Sequence, residues 1–417
     1  MIETITGFVT QHPVETGAIA SSVIAIVTTG IQGFLRRPKK TSQGGAFLEN
    51  KDLLEPPMAR PAYSDRMAYV MAELSALAYF KFEGSGDGAL QIALDKFRQM
   101  AGGDSPLSEY ADKVLKEFRD DLLVKSIDSR EILQKILEKA DFKLLDTLHV
   151  GDTQGFVCKR NKQGEASFVV VAFRGTEQVL ADWLTDVNAK PVEELLKKEI
   201  KMHHGFWDAL NKKAKPGGKN VLEEVKAILD SSDAKNGSEP LPCYFTGHSL
   251  GGALALITTC ELAPTDVIGA CYTFGAPRVA SYEYFRNIKT PVYRVVNSSD
   301  IVPRVPPGAI MGMVLKLVQG SKWLTQFIPG LSKILDWLEV KVDQLNGYRH
   351  HGDQRYLTDV KSGRFDTVHL LSNPPAVDRI WWMWQHIRKS LKEPVKSHGM
   401  AIYRSKLEYI ARHRNPG

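Results

Sequence analysis

Residues 242–256 read Pro-Cys-Tyr-Phe-Thr-Gly-His-Ser-Leu-Gly-Gly-Ala-Leu-Ala-Leu. A short apolar strand, a sharp Gly-x-Ser-x-Gly turn and a helix rich in alanine and leucine follow one another here without a break. Glycines stand two residues on either side of Ser249, where side chains would collide with neighbouring backbone in so tight a turn. The turn lifts the serine hydroxyl to the N-terminus of a helix, whose dipole favours negative charge. The stretch predicts a nucleophilic serine in preference to a purely structural turn.

Strands and helices alternate on both sides of this turn. The run at 166–173 is almost continuously apolar and rich in β-branched residues, which is typical of a strand buried on both faces. Hydrophobic periodicity also predicts strands at 142–150, 153–159, 270–273 and 292–296 and helices at 66–80 and 220–229. The alternation predicts an α/β fold with a mostly parallel central sheet, and the Gly-x-Ser-x-Gly turn within it is typical of the α/β-hydrolase fold.

The chain of 417 residues divides into three predicted parts. Residues 16–35 carry no charged side chain and are about long enough to span a bilayer, so we expect residues 1–40 to contain an N-terminal apolar helix that anchors the chain in a membrane. A peripheral or buried helix is the alternative. Residues 41–65 are rich in Gly, Pro and polar residues, which predicts a linker. Residues 66–417 are then the α/β-hydrolase domain.

The distribution of basic residues predicts on which side of a membrane the chain lies. A basic cluster at 36–40 follows the apolar segment, and such clusters favour the cytoplasmic side, so the large C-terminal part is expected to face the cytoplasm. The formal net charge of +6 is mild, and no nucleic-acid-binding motif accompanies it, so we expect no nucleic-acid partner. The four cysteines have no metal-ligand spacing and are expected to be buried and reduced.

A serine nucleophile needs a base and an acid beside it. In this fold the acid and the histidine follow the serine along the chain, in that order. Asp300 lies just beyond the predicted strand at 292–296 and is the best candidate for the acid, with a turn-capping aspartate as the structural alternative. Position alone favours His398, in a loop before a C-terminal helix, without excluding the other histidines after the serine. His248 is expected to pack or to form hydrogen bonds near the turn.

The tetrahedral intermediate of acyl transfer also needs two backbone N–H donors. One is expected from Leu250, the residue directly after the nucleophile. The other is expected from Thr176, in the loop that follows the buried strand at 166–173. Taken alone, residues 174–176 are equally typical of an ordinary turn.

Several ordered motifs together resemble the class 3, or fungal-type, lipases. They are Thr-Gly-His-Ser-Leu-Gly-Gly-Ala at 246–253, Phe-Arg-Gly-Thr at 173–176, Asp-Trp-Leu at 182–184, His-Gly-Phe at 204–206, Tyr-Thr-Phe-Gly-Ala-Pro-Arg at 272–278 and Val-Asn-x-x-Asp-x-Val-Pro at 296–303. The similarity extends roughly from Arg66 to Tyr403. It implies an α/β-hydrolase fold, a Ser-Asp-His triad and hydrolysis of carboxylic esters of lipids with neither a metal nor an organic cofactor.

The resemblance also implies roles for individual residues. His398 is similar to a late family histidine that precedes a helix carrying a tyrosine, here Tyr403. His350 resembles a family histidine that is usually not catalytic, and it remains the alternative base. Asp182 looks like a structural aspartate of the family. The implied roles are nucleophile for Ser249, acid for Asp300, base for His398 and oxyanion donors for Thr176 and Leu250.

Two features depart from the family pattern: the insertion at 308–347, and the N-terminal apolar segment, which suggests an enzyme held at its lipid source. Residues 83–140 are predicted to be a helical insertion of unknown purpose. Residues 308–347 contain an amphipathic pattern that predicts a lid over the acyl site or a contact with the bilayer interface, or else a helical hairpin packed on the core. The expected function is hydrolysis of membrane or neutral lipids through an acyl-enzyme. The alternatives are an inactive scaffold or signalling protein and a hydrolase of soluble esters; the oligomeric state stays open.

Overall fold

The structure is a computed structural model. It describes residues 47–53, 61–79, 130–161, 167–175, 192, 195, 200–262, 269–298, 300, 302–304, 347–360, 365–375, 378 and 397–414. The predicted N-terminal helix, most of the insertion predicted over 83–140, nearly all of that predicted over 308–347, and Thr176 lie outside these residues. Among the described helices, none has the length and the apolar character needed to cross a membrane.

In the described part of the chain, eight strands form one sheet and follow one another across it in chain order. The five central strands pair in parallel, and the pairings at the two sides of the sheet are antiparallel. The predicted α/β-hydrolase fold with a mostly parallel central sheet is therefore confirmed. The strands are β1 (Phe142–Val150), β2 (Thr153–Arg160), β3 (Phe168–Phe173), β4 (Cys243–His248), β5 (Cys271–Phe274), β6 (Val292–Asn297), β7 (Asp353–Leu357) and β8 (Leu370–Ser372).

Helices cover both faces of this sheet. A capping box begins one of them, because Asn220 accepts from the backbone N–H of Glu223 at 2.8 Å and Glu223 accepts from that of Asn220 at 2.9 Å. A further helical segment spans 130–138. Besides this segment, the described α-helices are α1 (Asp65–Leu77), α2 (His204–Asn211), α3 (Val221–Asp230), which is the helix with the capping box, α4 (Leu250–Leu262) and α5 (Met400–His413).

The residues of β3 explain why the sheet needs helices on both faces. All six residues of β3 are buried. Val170 and Ala172 point into the apolar core that includes α1 and α5, whereas Val169 and Val171 point into the core that includes α2, α3 and α4. Side chains alternate along a strand, so a continuous apolar run fills two cores at once. All four cysteines are free, and three of them are buried.

Residues 47–53 pack on the domain although they lie inside the segment predicted to be a linker. Leu48 and Leu53 are buried in the core beside α1 and α5. The backbone N–H of Leu48 donates to the carboxylate of Glu73 in α1 at 3.0 Å, and Arg404 in α5 donates to the same carboxylate at 2.7 and 2.8 Å. This ion pair joins α1 to α5.

The turn between β4 and α4 has the steric character predicted from its glycines. A Cβ atom at Gly247 would lie 2.3 Å from the backbone C and O of Gly251, and one at Gly251 would lie 2.4 Å from the carbonyl oxygen of Phe173. Ser249 between them has φ of 60°, a value that is uncommon outside glycine. The tight turn therefore holds the serine in a strained backbone conformation.

Replacing Gly247 with Ala should destabilise the protein by about 3 kcal/mol or more, because the new methyl group meets backbone atoms that cannot rotate away. Thermal and denaturant unfolding would measure the loss. Gly151→Ala is the matched control, since Gly151 has a positive φ of 58° but nothing within 4 Å of its added Cβ. The control should lose only about 1–2 kcal/mol, the cost of a positive φ. Equal losses of stability in the two variants would show that the collision with the backbone does not destabilise Gly247→Ala.

Candidate active site

Three loops bring Ser249, Asp300 and His398 together. Ser249 lies directly after β4, at the start of α4. Asp300 follows the end of β6, which runs parallel to β4 and ends at the same edge of the sheet. His398 lies just before Gly399, the N-cap residue of α5. All three side chains are buried.

The three side chains form one chain of hydrogen bonds. His398 Nδ1 lies 2.9 Å from Oδ2 and 3.0 Å from Oδ1 of Asp300, and His398 Nε2 lies 2.9 Å from Ser249 Oγ. An ionised carboxylate only accepts, so Nδ1 carries the imidazole proton and Nε2 of the neutral ring accepts from the serine hydroxyl. This is the tautomer that a general base needs in order to take the serine proton.

Two further hydrogen-bond donors fix the orientation of the Asp300 carboxylate. The backbone N–H of Val302 donates to Oδ1 at 2.9 Å, and the Tyr403 hydroxyl donates to Oδ2 at 2.6 Å. The backbone N–H of Asn297 donates in turn to the tyrosine oxygen at 2.9 Å. Burial, together with the adjacent Asp300 carboxylate, raises the pKa of Tyr403 well above its ordinary value. The phenol therefore keeps its proton at neutral pH and remains a donor.

The predicted oxyanion donors are only partly within the described residues. Leu250 is the first residue of α4, where a backbone N–H has no acceptor within its own helix. Thr176 lies outside the described residues. The residue before it, Gly175, is close to the turn, because a Cβ there would lie 3.3 Å from Ser249 Cβ. The assignment of Thr176 and Leu250 as oxyanion donors stays a prediction.

The alternative base has a different partner. His350 Nε2 donates to the backbone carbonyl of Pro303 at 2.5 Å, whereas it is His398 that reaches the Ser249 hydroxyl. The geometry therefore favours His398 over His350 as the base. Asp182 lies outside the described residues.

His248 has the local role expected of it, with partners that the sequence does not reveal. Its ring lies against the ring of His398, with centroids 4.5 Å apart and an angle of 31° between the planes. Its two nitrogens contact the Tyr79 hydroxyl and the backbone carbonyl of His398, each at 2.7 Å. No pattern around Tyr79 signals this contact, because 169 residues separate the two side chains along the chain.

Comparison with known proteins gives one family match and several similar proteins. Residues 170–309 match the family model for lipase (class 3). The chain is 28% identical over 258 residues to the chloroplastic phospholipase A1-Igamma2 of Arabidopsis thaliana, covering 49% of this chain and 46% of that protein. It is 30% identical over 182 residues to a lipase of Rhizomucor miehei, covering 40% of this chain and 46% of that protein.

A solved structure, the lipase from Rhizopus microsporus var. chinensis, matches with a TM-score of 0.41 at 21% identity, covering 64% of this chain and 75% of that chain. The present chain spans less than half the length of the two curated relatives described above.

Proposed function

Because this chain belongs to the class 3 lipase family, we propose that it hydrolyses carboxylic esters of lipids through an acyl-enzyme on Ser249. The observation that carries the proposal is the hydrogen-bonded chain from Ser249 through His398 to the buried carboxylate of Asp300. A nucleophile, a base in the right tautomer and an acid that orients the base are the parts that acyl transfer to serine requires.

In the first half of the reaction, Ser249 Oγ attacks the carbonyl carbon of the ester while His398 Nε2 takes the hydroxyl proton. Negative charge then develops on the carbonyl oxygen, where the backbone N–H groups of Leu250 and Thr176 would stabilise it. The ester C–O bond breaks as His398 returns the proton to the leaving alcohol. Asp300 stabilises the imidazolium that exists between these two proton transfers.

In the second half, water attacks the acyl-enzyme. His398 takes a proton from the water as its oxygen bonds to the acyl carbon, and gives the proton to Ser249 Oγ as the acyl bond to serine breaks. The fatty acid leaves and the free serine is restored. Both halves use the same base and the same oxyanion donors, so one arrangement of side chains serves the whole cycle.

We propose a membrane glycerolipid or a neutral acylglycerol as the substrate. The relatives support these two classes, since they include a phospholipase A1 and a lipase. The uncharged segment at 16–35 and the basic cluster at 36–40 support attachment to a membrane with the hydrolase domain on the cytoplasmic side. The amphipathic pattern within 308–347 supports a lid or an interfacial contact. Protease protection in sealed vesicles of known orientation would test the attachment.

The full chain should release fatty acid from phospholipid vesicles or a triacylglycerol emulsion faster than it hydrolyses a short soluble ester at the same ester concentration. Measurement of released fatty acid, with Ser249→Ala as the control, tests the substrate class. A preference for the short ester would favour a hydrolase of soluble esters. Failure of a serine-directed fluorophosphonate to label the wild-type chain would instead favour an inactive scaffold.

A further inference from the structure

Two side chains outside the proposed triad hold the backbone of the base. His248 Nε2 lies 2.7 Å from the carbonyl oxygen of His398, and the side-chain amide of Asn297 donates to the carbonyl oxygen of Ser397 at 2.6 Å. His248 is the neighbour of the nucleophile, and Asn297 ends the strand that leads to Asp300. His248 at the end of β4 and Asn297 at the end of β6 therefore each hold one of two consecutive carbonyl groups, those of His398 and Ser397.

The protonation of His248 follows from its partners. A carbonyl oxygen only accepts, so Nε2 of His248 must carry a proton. Burial, with a smaller effect of His398, lowers the pKa of His248 well below its ordinary value, so the ring is neutral and Nδ1 is unprotonated. The Tyr79 hydroxyl therefore donates to Nδ1 at 2.7 Å. Tyr79 thus favours the one tautomer of His248 that can donate to the loop of the base.

The orientation of the Asn297 amide is fixed in a similar way. The ammonium group of Lys406 in α5 donates to Asn297 Oδ1 and to the carbonyl oxygen of Thr358, both at 2.6 Å. An ammonium group only donates, so the amide oxygen faces Lys406 and the amide nitrogen faces Ser397. The Lys406 side chain is buried with these partners, and only 2% of the residue is exposed.

We propose that His248 and Asn297 are positioning residues that together hold residues 397–398 so that the His398 ring spans the gap between Ser249 Oγ and Asp300. The inference rests on the proposed function, because it concerns the same base. The hydrogen bonds that both side chains make to residues 397–398 go to the backbone, and the His248 ring also packs against the His398 ring. Both act by fixing the backbone from which the imidazole projects, and a displacement of about 1 Å in a reacting group costs on the order of 100-fold in rate.

Replacing His248 with Leu or Gln tests the first contact. Leu removes the donor, whereas the Gln side-chain amide can place an N–H close to the position of His248 Nε2. We expect Leu to lower kcat for a p-nitrophenyl ester and the rate of labelling by a small fluorophosphonate about 10- to 100-fold, with KM changed less than about threefold. Gln should restore most of both rates. Thermal unfolding of both variants measures any effect on the fold.

Replacing Asn297 with Asp tests the second contact. The new carboxylate keeps the shape of the side chain and still accepts from Lys406, but when ionised it cannot donate to the Ser397 carbonyl. We expect a loss of kcat similar to that of His248→Leu, and thermal unfolding measures the cost in stability of leaving the buried Ser397 carbonyl without its donor. Full activity in both His248→Leu and Asn297→Asp would overturn the inference. The inference would also be overturned if His248→Leu and His248→Gln lost the same kcat and labelling rate, and if those losses were in proportion to the fall in melting temperature.

The wild-type chain separates this inference from the proposed function. If the fluorophosphonate labels wild type but the variants react as fast as wild type, the positioning role is wrong and the proposed nucleophile stands. If the folded wild type does not react at all, the proposed function fails, and the inference fails with it.

Discussion

Replacing Ser249 with Ala should lower the kcat for ester hydrolysis on the order of 10⁴- to 10⁶-fold, because it removes the hydroxyl on which the proposed acyl-enzyme forms. The loss should fall on kcat and leave binding of the ester nearly unchanged. Steady-state kinetics with a chromogenic ester and labelling by a fluorophosphonate measure it. The variant should take up no label. Activity within about tenfold of wild type would show that the nucleophile is a different residue.

Replacing Ser249 with Gly is the matched control for folding. The serine has φ of 60°, and a residue with a Cβ atom pays about 1–2 kcal/mol in that conformation, whereas glycine does not. The glycine variant should therefore be as inactive as the alanine variant yet unfold at a higher temperature than it. A lower melting temperature for the glycine variant would contradict the strain assigned to this turn.

Replacing Asp300 with Asn should lower kcat about 10⁴-fold, because the amide reverses the preference between the two tautomers of His398. Asp300 Oδ1 accepts from Val302 and Oδ2 accepts from Tyr403, so an amide nitrogen in either position would face a donor. If the amide turned its nitrogen toward His398, Nδ1 would have to accept, and the imidazole proton would move to Nε2. The ring would then be unable to accept the serine proton. Kinetics with the same chromogenic ester measure the loss.

Tyr403→Phe is the control for this second prediction. It removes one hydrogen bond to Asp300 but leaves the carboxylate, so His398 keeps its tautomer. We expect a loss of kcat well below that of Asp300→Asn, on the order of 10-fold, because one hydrogen bond to the charged carboxylate is lost. Equal losses in the two variants would show that the position of the acid, and not the tautomer of the base, controls the rate.

Local sequence signals were sufficient for the strands and the central turn. The composition of β3 is dictated by burial on both faces, and the glycines at 247 and 251 are dictated by backbone atoms within 3 Å of an added Cβ. Such signals depend only on neighbouring residues or on the general environment of a strand. They can therefore be recognised in a single sequence without knowledge of which helices and strands pack together.

The candidate site depends on contacts between distant parts of the chain. Position along the chain left several histidines as possible bases, because a sequence does not show which of them lies near Ser249 in the fold. His398, which does, is 149 positions away from Ser249. The order of family motifs singled out His398, but nothing in the sequence pointed to Tyr79 or Lys406. A tyrosine after a helix and a lysine within a helix are common in proteins, so neither position indicates a role near an active site. Their roles become visible only when the partners are in place.

Residues 47–53 show how composition can hide a packed segment. The surrounding glycines, prolines and polar residues predict a linker, yet Leu48 and Leu53 are buried against the domain. The apolar residues of this segment, such as Leu48 and Leu53, do not repeat at the period of a helix or a strand. The carboxylate of Glu73, which accepts from the backbone of Leu48, gives this segment a fixed attachment.

The ion pair between Glu73 and Arg404 joins residues that are 331 positions apart. Every strand of the sheet is synthesised before α5, and α5 follows directly on the imidazole of His398. A nascent chain on the ribosome could therefore complete its sheet while the apolar side of α1 still lacked its helical partner and the serine lacked its proton acceptor. The proposed acyl transfer would then become possible only when α5 has packed against α1, after residues 397–413 have left the exit tunnel.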